Sequence, residues 1–384
     1  MSSTTPLSGL VVIEIGHSIA APYAGMILGE LGAEVIKVEN PRAGDAARGW
    51  GPPFANDAAT CFQAVNRAKK GITIDLADRS ETAKLRELIL DRADVVVHNL
   101  KFGALDRYGL SAAALLAAKP GLIYCNLGAF GAVGPMRERP GYDPLMQAHG
   151  GLMSLMGEDG RPPVRVGVSI VDLATGMWAV IGILAALAER GRTGRGGVID
   201  TSLYETALAW MTIPIAAYLV DRKIPVRQGS GVEMIVPYQA FAAADGYLMV
   251  AAGNDNLFRR LCDVIARPDL AEDRRFRTNK DRVVNRAALI AILDDIFLAQ
   301  PIAVWQQQLD QAGIPNGPMQ TVDQVVADPQ TLALGMIQQL AATDAMRTPL
   351  SLVGLPLSFD GVRPPFAKAA PAIGEDTAAL APRR

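Results

Sequence analysis

The chain has 384 residues, enough at about 150 per domain for two or three domains with a sizeable core. Half of the residues are hydrophobic, 20% are charged and 6% aromatic, which suits a soluble α/β protein. A net charge of −2, without a concentrated basic stripe, argues against a nucleic-acid partner.

Three cysteines without CxxC spacing and three histidines indicate neither a disulfide framework nor a metal site. The opening MSSTTPLSGL lacks a basic segment followed by an apolar core, so no signal peptide is evident. The apolar run Leu173–Ala188 is short for a membrane span and is broken by Gly176 and Gly182. It reads as a buried core helix, and a reduced, cytoplasmic setting away from membranes is the default expectation.

Taken in order, Leu10–Ile15 is a β-branched run suited to a strand buried on both faces. Pro22 opens a helical pattern closed by Gly32, and Glu34–Glu39 is the next strand. Together they form a βαβ unit. Glu39 stands where a ribose-binding acid would, but the turn reads GHSIAAP and not GxGxxG, so a dinucleotide pyrophosphate is not provided for. An NAD-dependent oxidoreductase is kept as the weaker alternative.

Residues 40–70 read as a long loop. Its Trp50 is either an anchor folded onto the core or a ligand contact. Gly71–Leu76 is a further strand, and Ser80 is positioned to cap a helix whose Leu85, Leu88 and Ile89 share one face. Asp94–Asn99, Leu122–Leu127 and Val198–Leu203 continue the alternation, which predicts a doubly wound open sheet with ligands beyond the carboxyl ends of its strands. The polar stretch Arg222–Gly231 marks a boundary. The predicted division is a large domain at 1–224, a small α/β domain at 225–330, and a segment at 331–384 that returns to the large domain.

One acid, Asp172, heads the long apolar helix. A carboxylate there is either an N-cap, the commoner role, or a nucleophile or base at the mouth of a cleft. The residues alone leave both open.

The motifs, in order, resemble one family. They are VVIEI followed by AAPYAGMILGELGAEVIKVENPRAGDAAR, then NRAKKGITIDL, ADVVVHNLKFGALDRYGL and PGLIYCNLGAFGAVGP. RPGYDPLMQAHGGLMSLMGE, PPVRVGVSIVDLATGMWAVIGILAAL, AGIPNGPM and APAIGEDT follow. Over nearly the whole chain this resembles the class III coenzyme A transferases, a family that also includes formyl-CoA and carnitine CoA-transferases and α-methylacyl-CoA racemases. The resemblance implies a large Rossmann-like open parallel-sheet domain, a smaller inserted α/β domain, and an interlocked homodimer. It implies CoA and acyl-CoA as substrates, a carboxylic acid as acceptor, and no tightly bound cofactor.

It also assigns residues. Asp172 is the catalytic nucleophile. Its carboxylate attacks the thioester to give a mixed anhydride and then an aspartyl-CoA thioester, and it needs no histidine because it is ionised at neutral pH and sits at a helix start. The resemblance places His17, Ser18, Ile74, Asn99, Leu100 and Arg107 on CoA, with Lys69 and Arg67 supplying charge for phosphate. Backbone N–H groups from His17 to Ala20 and around Asp172 are the oxyanion donors. Ile19, Trp50 and Tyr142 line the acyl pocket, with Gly229 and Gly231 in a covering flap. Asn40 stands where some members place an Arg beside the adenine, and Ile19 where some place a Gln. The alternative of an acyl-CoA racemase meets Tyr142 where the racemases resemble GHD, and a phenol that titrates near pH 10 is a poor base at neutral pH.

Overall fold

A computed structural model describes residues 5–340 and 348–380. The described residues form two compact units. One gathers Met1–Gly150, Gly167–Met211 and Asp328–Arg384, and the other Gly151–Val166 and Thr212–Ala327.

The first unit is built on a six-stranded parallel sheet. Its strands are β1 (Val11–Ile15), β2 (Glu34–Glu39), β3 (Lys69–Thr73), β4 (Val95–His98), β5 (Ile123–Gly128) and β6 (Gly197–Ser202). Their spatial order is β3-β2-β1-β4-β5-β6. All four residues of β4 are buried, as are the last four of β1, as their β-branched residues require when helices cover both faces, with the buried Glu14 paired to lysines. The connecting helices are α1 (Ala20–Glu30), α2 (Thr60–Asn66), α3 (Arg79–Arg92), α4 (Ala112–Ala118), α5 (Asp143–His149), α6 (Ile170–Thr193) and α7 (Leu203–Trp210). Chain order reverses between β1 and β4, which opens a crevice beyond their carboxyl ends.

Local chemistry sets the ends of these elements. Gly32 at φ +103 ends α1 in a backbone conformation that other residues adopt at a penalty. Asp78, and not the predicted Ser80, caps α3, accepting from the N–H groups of Ser80 and Glu81. The third strand begins at Lys69, two residues before the predicted Gly71, because Lys69 to Thr73 pair in register with Val35 to Glu39 of β2.

Helix α6 departs from the expectation of full burial. Val171, Ala174, Gly176, Ala179, Val180 and Ile183 are buried, while Met177, Trp178, Ile181 and Leu184 are exposed. It is long and apolar enough to cross a membrane by length and composition, yet its buried side packs against α1. A Cβ added at Gly176 would lie 2.7 Å from the carbonyl oxygen of Ala20, so only glycine permits that approach.

The second unit has a three-stranded antiparallel sheet of β7 (Tyr238–Ala243), β8 (Gly246–Ala251) and β9 (Asn316–Pro318). Phe241, Phe258, Phe297 and Trp305 are buried in its core, and the indole N–H of Trp305 donates to the Phe297 carbonyl at 2.8 Å.

The units depart from the predicted domains in two main places, and the return to the first unit falls at Asp328 instead of 331. The changeover falls at Thr212 instead of 225, and Gly151–Val166 belongs to the second unit. The reason is a long-range pairing, Gly157–Glu158 against Gln228–Gly229. It puts the polar stretch taken as a boundary inside the second unit.

Candidate active site

The crevice between β1 and β4 opens onto a cleft of about 440 Å³. A second cleft of about 320 Å³ adjoins it, and His17, Leu76, Leu100 and Tyr108 line both. His17, Ser18, Asn99, Leu100, Arg107, Tyr142 and Asp172 all line the first, so seven of the residues assigned from sequence meet there. Ile74 lines the second, beside Asn40.

A buried ion network shapes the loop after β1. The Lys37 ammonium donates to Glu14 Oε1 at 3.0 Å, to Asp45 Oδ2 at 2.9 Å and to the Gly16 carbonyl at 2.9 Å. Burial alone would lower its pKa, but Glu14 and Asp45 hold it above the ordinary value. Asp45 Oδ1 accepts from the Ser18 N–H at 3.0 Å, which fixes Ser18 at φ +65. Asn99 spans the switch point, accepting from the His17 N–H at 3.0 Å and donating to the His17 carbonyl at 2.7 Å. The His17 imidazole is held below its ordinary pKa by burial, against the pull of Asp45. These bonds use the N–H groups of His17 and Ser18, which removes them as oxyanion donors. The N–H groups of Ile19 and Ala20, at the head of α1, carry no side-chain cap. Ala20 lines the cleft with Asp172.

Asp172 is the third residue of α6, after Ser169 at the N-cap position, and so is not the cap. The cap is supplied by Asp143 on α5, whose Oδ2 accepts from the N–H groups of Val171 at 2.7 Å and Asp172 at 3.1 Å. The first-turn N–H groups are therefore spent on a second carboxylate. Among the described residues no hydrogen bond or ion pair reaches the Asp172 carboxyl group. Burial, and then the charge of Asp143, push its pKa up to about 7. This corrects the expectation of a carboxylate kept fully ionised by its helix. Instead it is a partly protonated, more basic group facing a cleft.

Several assignments fail. Lys69 is fully buried, with its ammonium 2.7 Å from Glu14 Oε2 and donating to the Pro22 carbonyl at 2.7 Å and Asn66 Oδ1 at 2.8 Å. Arg67 is likewise buried, paired with Glu30 and donating to the Val353 carbonyl. Neither is free for a phosphate. Glu39 forms an ion pair with Arg48 at 2.7 Å and accepts from the Asp45 N–H, so it braces a loop instead of holding a ribose. Trp50 is 45% exposed and Ile19 is buried, and neither lines the cleft. Gly229 and Gly231, assigned to a covering flap, lie in the second unit, where Gly229 pairs with Gly157, and that assignment is neither met nor overturned by the cleft lining.

Sequence reasoning missed Asp143 and three cations, Lys101, Arg137 and Arg139, that join Arg107 on the cleft wall. Their position in the loops that follow β4 and β5, at the carboxyl edge of the sheet, was the available signal. Four cations, one unpaired acid and apolar walls from Leu76, Leu100 and Phe102 suit a long anionic ligand with an electrophilic end at Asp172.

A parallel open sheet with a cleft and a carboxylate at its switch point is the architecture of a ligand-binding α/β protein. Residues 7–377 match the model for CoA-transferase family III. The chain is 38% identical over 375 residues to mouse succinyl-CoA:glutarate CoA-transferase, covering 98% of this chain and 85% of that one. It is 36% identical to the acetyl-CoA:oxalate CoA-transferase of Acetobacter aceti, covering 98% and 95%. The crystal structure of a CAIB/BAIF family protein from Brucella suis superposes with a TM-score of 0.85 at 39% identity, covering 98% and 99%. The chain belongs to CoA-transferase family III, and it is a transferase that moves CoA between an acyl-CoA thioester and a free acid.

Proposed function

We propose that Asp172 carries this transfer covalently. The observation behind the reading is its unpaired, basic carboxyl group in a cleft lined by four cations. One carboxylate oxygen attacks the thioester carbon. The oxyanion that forms is met by the N–H group of Ala20, and collapse expels CoA thiolate and leaves a mixed anhydride. The thiolate then attacks the Asp172 acyl carbon and releases the donor acid, giving an aspartyl-CoA thioester. The acceptor carboxylate attacks that carbonyl, expels the thiolate again and forms a second anhydride. Attack of the thiolate on the acceptor's acyl carbon yields the new acyl-CoA and restores Asp172. Lys101, Arg107, Arg137 and Arg139 are the candidates for the CoA phosphates, and Ile74 with Asn40 for the adenine end. No tightly bound cofactor is needed.

The relatives named for succinyl, glutarate and oxalate substrates favour short dicarboxylates as donor and acceptor acids. The exposed Met177, Trp178, Ile181 and Leu184 of α6, with Leu208 and Trp210 of α7, are an apolar face suited to a second copy of the chain, in keeping with an interlocked homodimer. Cys61, Cys125 and Cys262 are free thiols, in keeping with a reducing, cytoplasmic setting.

The test is incubation of the enzyme with a panel of acyl-CoA donors and free acids in deuterated water. New acyl-CoA masses without deuterium at the α-carbon are expected, with succinyl-CoA and a dicarboxylic acceptor most active. Rapid α-deuteration of a 2-methylacyl-CoA without exchange of acids would instead establish the racemase reading.

A further inference from the structure

We propose that Asp143 is a positioning residue for the reaction: its buried carboxylate occupies the N-terminus of α6 and so keeps Asp172 oriented, unpaired and reactive. The proposal rests on the reading of Asp172 as nucleophile and adds a second residue to it.

A helix N-terminus ordinarily stabilises a carboxylate, through its free N–H groups and the dipole. Asp172, on the first turn of α6, is well placed to receive that stabilisation, and a carboxylate so held is a weaker nucleophile. Asp143 intercepts it. Its Oδ2 takes the N–H groups of Val171 and of Asp172 itself. Its Oδ1 accepts from Gln147 Nε2 at 2.6 Å, which fixes the carboxylate plane from the next turn of α5. Asp143 is 1% exposed, and its neighbour Tyr142 lines the cleft. A second, buried negative charge therefore sits near the reactive one, outside the cleft lining.

The other titratable or charged groups on the cleft wall are His17 from the loop after β1, Lys101, Arg107 and Tyr108 from the loop after β4, and Arg137, Arg139 and Tyr142 from the loop after β5. Helix α7 contributes only Leu203. After burial, Asp143 is the one group that acts on the Asp172 carboxyl, and it raises its pKa. The four cations leave Asp172 unneutralised, and Asp143 adds to the basicity that burial gives it.

The experiment compares wild type with Asp143→Asn. The asparagine keeps an acceptor for both N–H groups and a side chain of the same size. Two quantities are read. One is the pH profile of kcat/KM. The other is the titration of the Asp172 carboxyl by carbon NMR, its signal assigned by loss in Asp172→Asn. Both midpoints are expected to fall in Asp143→Asn. The variant is then slower than wild type at pH 8 but faster relative to it at pH 5.5, where wild-type activity declines about tenfold per pH unit below its limb. Asp143→Ser, a short neutral cap, is expected to do the same if Asp143→Asn folds poorly. An equal loss at every pH with an unmoved Asp172 titration would overturn the proposal and leave Asp143 a plain cap. Full activity in Asp172→Asn would instead overturn the nucleophile assignment, whatever Asp143→Asn does.

Discussion

Asp172→Asn is expected to abolish CoA transfer, with kcat down by at least ~10³-fold, because among the described residues no second carboxylate lines the cleft to form the anhydride. The same substitution is expected to raise thermal stability at pH 8. In the folded protein the Asp172 pKa stands near 7, against an ordinary 3.8. The folded state therefore holds this proton more tightly than the unfolded chain does. The stability tied to it is present in full below about pH 4 and is lost as pH rises through 7. Above pH 7 the folded protein carries a buried, unpaired charge, and asparagine removes it. Thermal denaturation at pH 8 and at pH 4 checks this: the melting temperature of the variant should exceed wild type at pH 8, and the gap should close at pH 4. A lower melting temperature at pH 8 would mean that the carboxylate has a partner and is not poised for attack.

The second large effect lies beneath the site. Lys37→Met is expected to destabilise the protein by ~3–5 kcal/mol, the range for removing one member of a buried ion pair. Lys37, Glu14 and Asp45 side chains are all shielded from solvent, and Lys37 joins both acids within 3.0 Å. Methionine fills a similar volume but strips Asp45 of its buried cation and leaves Glu14 with Lys69 alone. It also frees the Gly16 carbonyl and loosens Asp45, which positions Ser18. Urea denaturation followed by fluorescence should show the lower midpoint, together with a raised KM for acyl-CoA. A change under 1 kcal/mol would show that water or local rearrangement already satisfies the network.

The sheet was legible because burial on both faces writes itself into β1, β2 and β4 as β-branched runs, interrupted in β1 by Glu14 and in β2 by Lys37, which pair with each other. The position of the cleft followed from the alternation of strands and helices, since a doubly wound sheet offers its carboxyl edge to ligands. Other features depended on contacts between residues far apart in sequence. Lys69 and Arg67 read as free cations. Their partners Glu14 and Glu30 lie on a strand and a helix from an earlier part of the chain, and no local pattern joins them. The pairing of Gly157 with Gly229 moved a domain boundary for the same reason. Asp143 was visible as a letter beside Tyr142, but its role depends on α5 meeting the start of α6 across 28 residues of sequence. The altered basicity of Asp172 follows from that meeting. A carboxylate at a helix start reads as stabilised until its N–H groups are found to serve another acid.

The most direct test of a covalent aspartyl mechanism is to trap the intermediate. Enzyme is mixed with acyl-CoA in the absence of acceptor acid, quenched in acid, digested and analysed by mass spectrometry, with a parallel sample reduced by borohydride. The expected result is a peptide carrying CoA in thioester linkage at Asp172, converted by borohydride to the corresponding alcohol. An unmodified Asp172 peptide under conditions of full turnover, or a CoA adduct on any other residue, would contradict it.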